Sequence, residues 1–115
     1  LAKLKDMYPS KQIVLLTPLH RAFAQFSNDN VQPDESYQNS CGEYVDAYME
    51  SVREASRIWA VPLIDLATLS GMYPLSAKYA PWYHDAANDM LHPNAEGHKR
   101  LALTLYYQLA TLPIY

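Results

Sequence analysis

The sequence predicts an α/β domain built on a parallel sheet, and three observations carry that prediction. Two short apolar runs, Ile13-Val14-Leu15-Leu16 and Val61-Pro62-Leu63-Ile64, have the length and continuity of strands buried on both faces. A pattern of helical period lies between them, and a second one follows. Strand, helix, strand, helix in that order is the grammar of parallel pairing, because two parallel neighbours need a crossover to connect them.

The elements follow in order. Residues 1–8 read as the end of an amphipathic helix with Leu1, Leu4 and Met7 on one face, stopped by Pro9. Lys11 to Thr17 is the first strand, ended by Pro18. Residues 18–39 are rich in Asn, Gln, Ser, Asp and Pro and read as a long loop. Ser40-Cys41-Gly42-Glu43 has the form of a capping box, opening a helix that runs to about Ala60. Tyr44, Tyr48, Val52, Ala55 and Trp59 are expected as its buried stripe. Glu43, Asp46 and Glu50 come early and Arg53 and Arg57 late, which suits the helix dipole.

The second strand is Val61 to Leu66, with Pro62 at its start, where a missing N–H is tolerated. A short helix is expected over 66–72, and residues 73–91 read as an aromatic-rich loop. Asn94 caps a final helix whose apolar stripe is Leu101, Leu105, Leu109 and Leu112, and Pro113 ends it. Two parallel strands do not make a free-standing sheet. The chain also opens on Leu1, inside a helix already under way. The expectation is that residues 1–115 are the C-terminal part of a single larger domain, whose missing strands lie N-terminal.

Composition narrows the function. Of 115 residues half are apolar, 18% charged and 12% aromatic, and the net charge is −3. That is the composition of a folded globular domain. Acids and bases are mixed, with no Lys/Arg cluster to form a nucleic-acid face or an anionic-membrane patch. The apolar runs are too short to span a bilayer. Cys41 is the one cysteine, so an internal disulfide framework and a multi-cysteine metal site are both excluded. No targeting segment is visible, which leaves the compartment open, a secreted or periplasmic one included.

The chemistry concentrates in Asp89-Met90-Leu91-His92-Pro93-Asn94, read as a loop feeding the last helix. A carboxylate three residues before a histidine can accept from one ring nitrogen and fix the tautomer. The other nitrogen is then free to take a proton from a nucleophile. Asp89 can also form a simple Asx-turn before the helix. Two other readings use nearby residues: His84, Asp85, Asp89 and His92 as metal ligands, or Cys41 as a nucleophile served by His92 and Asp89. The plainer readings are scattered loop residues and a small, partly buried thiol. Tyr79, Trp82 and Tyr83 are candidates for one wall of a substrate cleft, or for cover over the sheet edge. His20, just after the first strand, is a candidate for its rim.

The stretch Asp89-x-x-His92-Pro93-Asn94, with Gly97 and His98 in the helix behind it, resembles the last conserved block of the SGNH (GDSL-type) hydrolases. The strand–helix–strand order before it is similar to the second half of that fold. The resemblance implies a three-layer αβα, flavodoxin-like architecture and an acyl-enzyme hydrolysis, without a cofactor, of a small-molecule ester, expected to be a carbohydrate acetyl ester or another small acyl ester. It also implies His92 as base and Asp89 as its orienting acid. The family's serine, glycine and asparagine blocks have no match here. Ser27-Asn28-Asp29-Asn30 lacks the glycine and follows the wrong strand. The nucleophile is therefore expected in the N-terminal segment of the same protein. The competing expectation is a carbohydrate-binding or interaction module that keeps the hydrolase-like shell.

Overall fold

The computed structural model describes residues 1–39, 41, 43–73 and 80–113. Helix α1 (Ala2–Met7) is followed by β1 (Leu15–Leu16), β2 (Ala24–Ser27), β3 (Asn30–Gln32), α2 (Val45–Trp59), β4 (Leu63–Ile64) and α3 (Leu66–Leu69). A 3-10 turn at Ala80–Trp82 then leads into β5 (Tyr83–Asp85), β6 (Asp89–Pro93) and α4 (Ala95–Thr111). Strands β1 and β4 pair in parallel, Leu15 opposite Leu63 and Leu16 opposite Ile64, with α2 as the crossover. The α/β class predicted from the two apolar runs is the one observed.

The two stretches read as loops each contain strands. They combine into an antiparallel sheet in the order β3-β2-β6-β5. A two-residue turn at Asn28 and Asp29 joins β2 to β3, with Gln25 opposite Val31 and Ser27 opposite Asn30. Ala24 lies opposite Asp89, and the backbone N–H of Met90 donates to the Phe23 carbonyl at 3.2 Å. Strand β6 therefore sits inside this sheet, between β2 and β5. Asp89 and His92 are strand residues rather than loop residues.

Helix α2 also differs from expectation. It begins at Val45 with Tyr44 at its N-cap, and Ser40, the expected cap, lies outside the described residues. Its inward stripe is Val45, Met49, Val52 and Ser56, with Met49 buried. Tyr44, Tyr48 and Trp59 are exposed. Tyrosine carries an apolar ring and a polar tip, so it satisfies an apolar pattern on either face of a helix. The helix closes on Ala60 in the left-handed region (φ 48°, ψ 46°), a conformation that costs an L-residue about 1 kcal/mol or more.

At the carboxyl ends of the parallel pair, Thr17 and Asp65 lock the two strands together. The Thr17 hydroxyl donates to Asp65 Oδ1 at 3.0 Å and accepts from the Ala67 N–H at 3.0 Å. Arg53 of α2 donates through Nε to Asp65 Oδ2 at 2.9 Å. The Arg53 hydrogen bond holds the Asp65 carboxyl below its ordinary range, against the opposing effect of burial.

The second sheet and α4 enclose a small core of Met72, Tyr83 and Met90, with Ala22, Trp82 and Leu101 packed against it. Leu105 and Leu112 are half-buried, whereas Leu109 is 52% exposed and leaves the expected stripe.

Candidate active site

Strand β6 runs almost directly into α4, and Asn94 makes the junction. Its side chain accepts from the Gly97 N–H at 2.9 Å, the N-cap bond that the sequence predicted. Its Nδ2 donates to the Tyr83 carbonyl at 2.9 Å and to the Pro81 carbonyl, and its backbone N–H donates to the Trp82 carbonyl at 3.0 Å. The first turn of α4 is thus clamped to the 3-10 turn. Gly97 is the point of closest approach: a Cβ there would sit well inside contact distance of the Trp82 carbonyl oxygen and 2.9 Å from the Pro93 side chain. Glycine is needed for that contact, and the contact fixes where His92, two residues before Asn94, can stand.

Asp89 and His92 form the expected pair. Asp89 Oδ2 lies 3.0 Å from His92 Nδ1. Its Oδ1 accepts from the backbone N–H groups of Leu91 at 3.1 Å and His92 at 3.0 Å. The same carboxylate therefore makes an Asx-type turn and orients the ring. Burial alone pushes the Asp89 carboxyl up. The His92 and Leu91 N–H donors, the ring bond and the imidazole's charge outweigh it, so the carboxyl is held below its ordinary range. The Asp89 side chain is 11% exposed and that of His92 63%. A buried anion behind an open imidazole favours a proton on Nδ1, with Nε2 unpartnered among the described residues.

His92 lines a cleft of about 440 Å³ with Pro18, Leu19, Arg21, Val45, Tyr48 and Leu91. Pro18 and Leu19 follow Thr17, so the cleft opens at the carboxyl end of β1, where ligands bind in α/β sheets. The Phe26 ring lies tilted 5.4 Å from the imidazole. A larger hollow of about 710 Å³ lies among Tyr8, Lys11, Gln12 and Pro62, at the opposite ends of the strands. No histidine or carboxylate lines it, whereas His92 lines the smaller cleft.

The other candidate residues stand elsewhere. Tyr83 is 2% exposed, a core residue whose hydroxyl donates to the His20 carbonyl at 2.6 Å, and burial raises its pKa. Trp82 packs on the same core, with the Arg100 guanidinium carbon 4.9 Å from its ring centroid. Neither lines the cleft, because both pack into the core with Met72 and Met90. His20 does not line the cleft either: its Nδ1 is 3.0 Å from both oxygens of Glu35, and its ring meets Tyr73 edge-on at 5.6 Å. Tyr79 lies outside the described residues.

Among the described residues no three His, Cys, Asp or Glu side chains converge as metal ligands. Asp85 is engaged by the Ala87 N–H and the Asn88 amide, and His84 points out as an exposed residue. Cys41 is exposed and hydrogen-bonds through its backbone to Asn39. No helix among the described residues is long and apolar enough to cross a membrane. Sequence reasoning missed Arg21, Tyr48 and Leu91 as cleft residues. Arg21 had a signal, since it follows the first strand at its carboxyl end.

The fold recurs in solved structures. One crystal structure superposes with a TM-score of 0.80 at 25% identity, over 98% of this chain and 49% of its own. A protein from Lactobacillus plantarum gives 0.78 at 21% identity, over 98% of this chain and 50% of its own. A protein from Chitinophaga pinensis, named a possible lipase, gives 0.59 at 22% identity, over 96% and 58%. This chain therefore spans about half the length of the first two structures it matches. No family model and no curated protein matches it.

Proposed function

We propose that the intact protein is a serine ester hydrolase of the SGNH type, and that this chain supplies the proton-handling half of its active site. The observation that carries the reading is the pairing of a buried, fully hydrogen-bonded Asp89 with an exposed His92 at the mouth of a cleft. A serine from the remainder of the protein attacks the ester carbonyl, and His92 Nε2 takes the hydroxyl proton. The tetrahedral intermediate collapses, the acyl–oxygen bond of the substrate breaks, and His92 returns the proton to the leaving alkoxide. Water then attacks the acyl-enzyme with His92 again as base, releasing the carboxylic acid and the free serine. Asp89 holds the ring and stabilises the imidazolium throughout.

Three further facts support a second half of the domain. The matched structures are about twice as long as this chain. The radius of gyration is 16.0 Å, against about 13 Å for a compact chain of this size. Large apolar side chains, among them Leu16, Ile58, Tyr106 and Tyr107, stand exposed. The substrate is a small acyl ester. The cleft is walled by Pro18, Leu19, Val45 and Leu91, whereas Trp82 and Tyr83, candidates for an aromatic wall, are packed inward.

The test is turnover of a generic aryl ester by the full-length protein and its His92→Ala variant. Loss of turnover with unchanged folding is expected. Near-normal turnover would remove His92 from the mechanism and leave the interaction-module reading in its place.

A further inference from the structure

The arginines of this chain are partnered in different ways. Arg53 meets Asp65, Glu50 and Asp46, and Arg57 meets Glu50. Arg100 donates to the Ser70 carbonyl and lies over the Trp82 ring. Arg21 is half-buried, and among the described residues its guanidinium has one hydrogen bond, from Nη2 to the Pro33 carbonyl at 2.7 Å. Its Nε is buried without a partner among the described residues. No carboxylate lies within ion-pair distance of it among those residues. The nearby Glu35 turns its oxygens to His20 and to the Arg21 backbone N–H instead.

A buried guanidinium nitrogen without a partner is costly, and a group in that condition calls for an explanation. Arg21 lines the same cleft as His92, and the remaining walls are Pro18, Leu19, Val45, Tyr48 and Leu91. A site with one imidazole, one guanidinium and otherwise apolar or phenolic lining is complementary to a short chain with a reacting ester at one end and an anion at the other. The guanidinium fork matches a planar carboxylate in two parallel hydrogen bonds.

We propose that Arg21 is the anion subsite of the His92 cleft, and that the substrate is a short half-ester of a dicarboxylic acid whose free carboxylate it holds. This rests on the reading of the cleft as an ester-hydrolase site and specifies it. The carboxylate enters as an anion and leaves as one; only the ester at the other end changes. Arg21 acts in binding and orientation, and it takes no proton.

The test is a binding titration on full-length protein carrying His92→Ala, so that no turnover intervenes. Monomethyl succinate is compared with the uncharged dimethyl succinate, by amide chemical shifts at Leu19, Arg21 and Leu91. At least tenfold tighter binding of the half-ester is expected, with the preference lost in Arg21→Gln and partly kept in Arg21→Lys. Equal binding of the two esters overturns the proposal, and needs no Arg21 variant to be folded. A preference that survives in folded Arg21→Gln overturns it as well. Methyl phosphate is the third ligand: if it outcompetes monomethyl succinate, the site is a phosphate site and the dicarboxylate assignment fails. Preferential binding without hydrolysis by the unmodified enzyme sinks the hydrolase and keeps the anion site, and hydrolysis without the preference does the reverse.

Discussion

Replacing Asp89 with Asn removes one charge and changes almost no shape, which makes it a sharp probe of the dyad. The carboxylate accepts three hydrogen bonds: two from the backbone of Leu91 and His92 through Oδ1, and one from His92 Nδ1 through Oδ2. The amide oxygen of the substituted side chain is expected to keep the two backbone donors, since losing both would leave two N–H groups unsatisfied. Its NH₂ then faces Nδ1, and a donor there forces Nδ1 to become the acceptor. The ring proton moves to Nε2, the nitrogen that must be free to act as base. The consequence is a fall in turnover of about 10⁴-fold, the loss seen when a triad carboxylate is neutralised. That corresponds to about 5.4 kcal/mol at 1.36 kcal/mol per decade. The stability loss is smaller, about 2 kcal/mol, because charge-assisted bonds are replaced by neutral ones rather than abolished. The assay is the ¹⁵N spectrum of the imidazole at a pH where the ring is neutral, which distinguishes a protonated ring nitrogen from a bare one. The expected result is Nδ1–H in the wild type and Nε2–H in Asp89→Asn. The same tautomer in both proteins would refute the claim that Asp89 orients the ring.

Other predictions follow from the scaffold. Gly97→Ala drives a methyl group into the Trp82 backbone and should cost about 1–3 kcal/mol by chemical denaturation; a neutral result would mean that α4 is not clamped as described. Ala60→Gly should stabilise the chain by about 0.5–1 kcal/mol, since glycine adopts the left-handed C-cap of α2 without strain, and a destabilised variant would contradict that geometry. Asp65 and Asp89 both have carboxyl pKa values lowered in the folded chain. Their stabilisation is therefore fully present above the unfolded value of about 3.9 and is lost as pH falls through the lowered folded values. Asp65→Asn should flatten the acid limb of a stability–pH curve, and an unchanged slope below about pH 4 would show that Arg53 and Thr17 do not stabilise the carboxylate.

What the sequence disclosed was what depends on short-range geometry. Asp89 and His92 are three residues apart, so their pairing needs only a local turn. Asn94 precedes the helix it caps, and Ile13–Leu16 and Val61–Ile64 are apolar without interruption. The antiparallel sheet was hidden for a physical reason. Phe26 and Val31 are exposed, so β2 and β3 lack the alternation that marks a half-buried strand. The Asn28-Asp29 turn was the available signal, since two such residues between short runs favour a hairpin. Strand β5 was masked by its aromatic neighbours. Tyr83 looked like a cleft residue because its type is common in clefts, yet its hydroxyl finds the His20 carbonyl inside the core. The α2 stripe holds at Val52 and Ala55 and departs at its ends for a related reason: Val45 and Met49 turn inward while Tyr44, Tyr48 and Trp59 face out. Arg21 was overlooked because its neighbour His20 has the more conspicuous chemistry, although His20 is held by Glu35 and stands back from the cleft.

The central claim is that His92 serves a serine elsewhere in the same protein. Labelling the full-length protein with a fluorophosphonate ester, and locating the adduct by mass spectrometry, tests it most directly. One labelled serine outside these 115 residues is expected, with labelling slowed by roughly two orders of magnitude or more in His92→Ala, as befits loss of a general base. No labelled serine, or equal labelling rates in the two proteins, would contradict it.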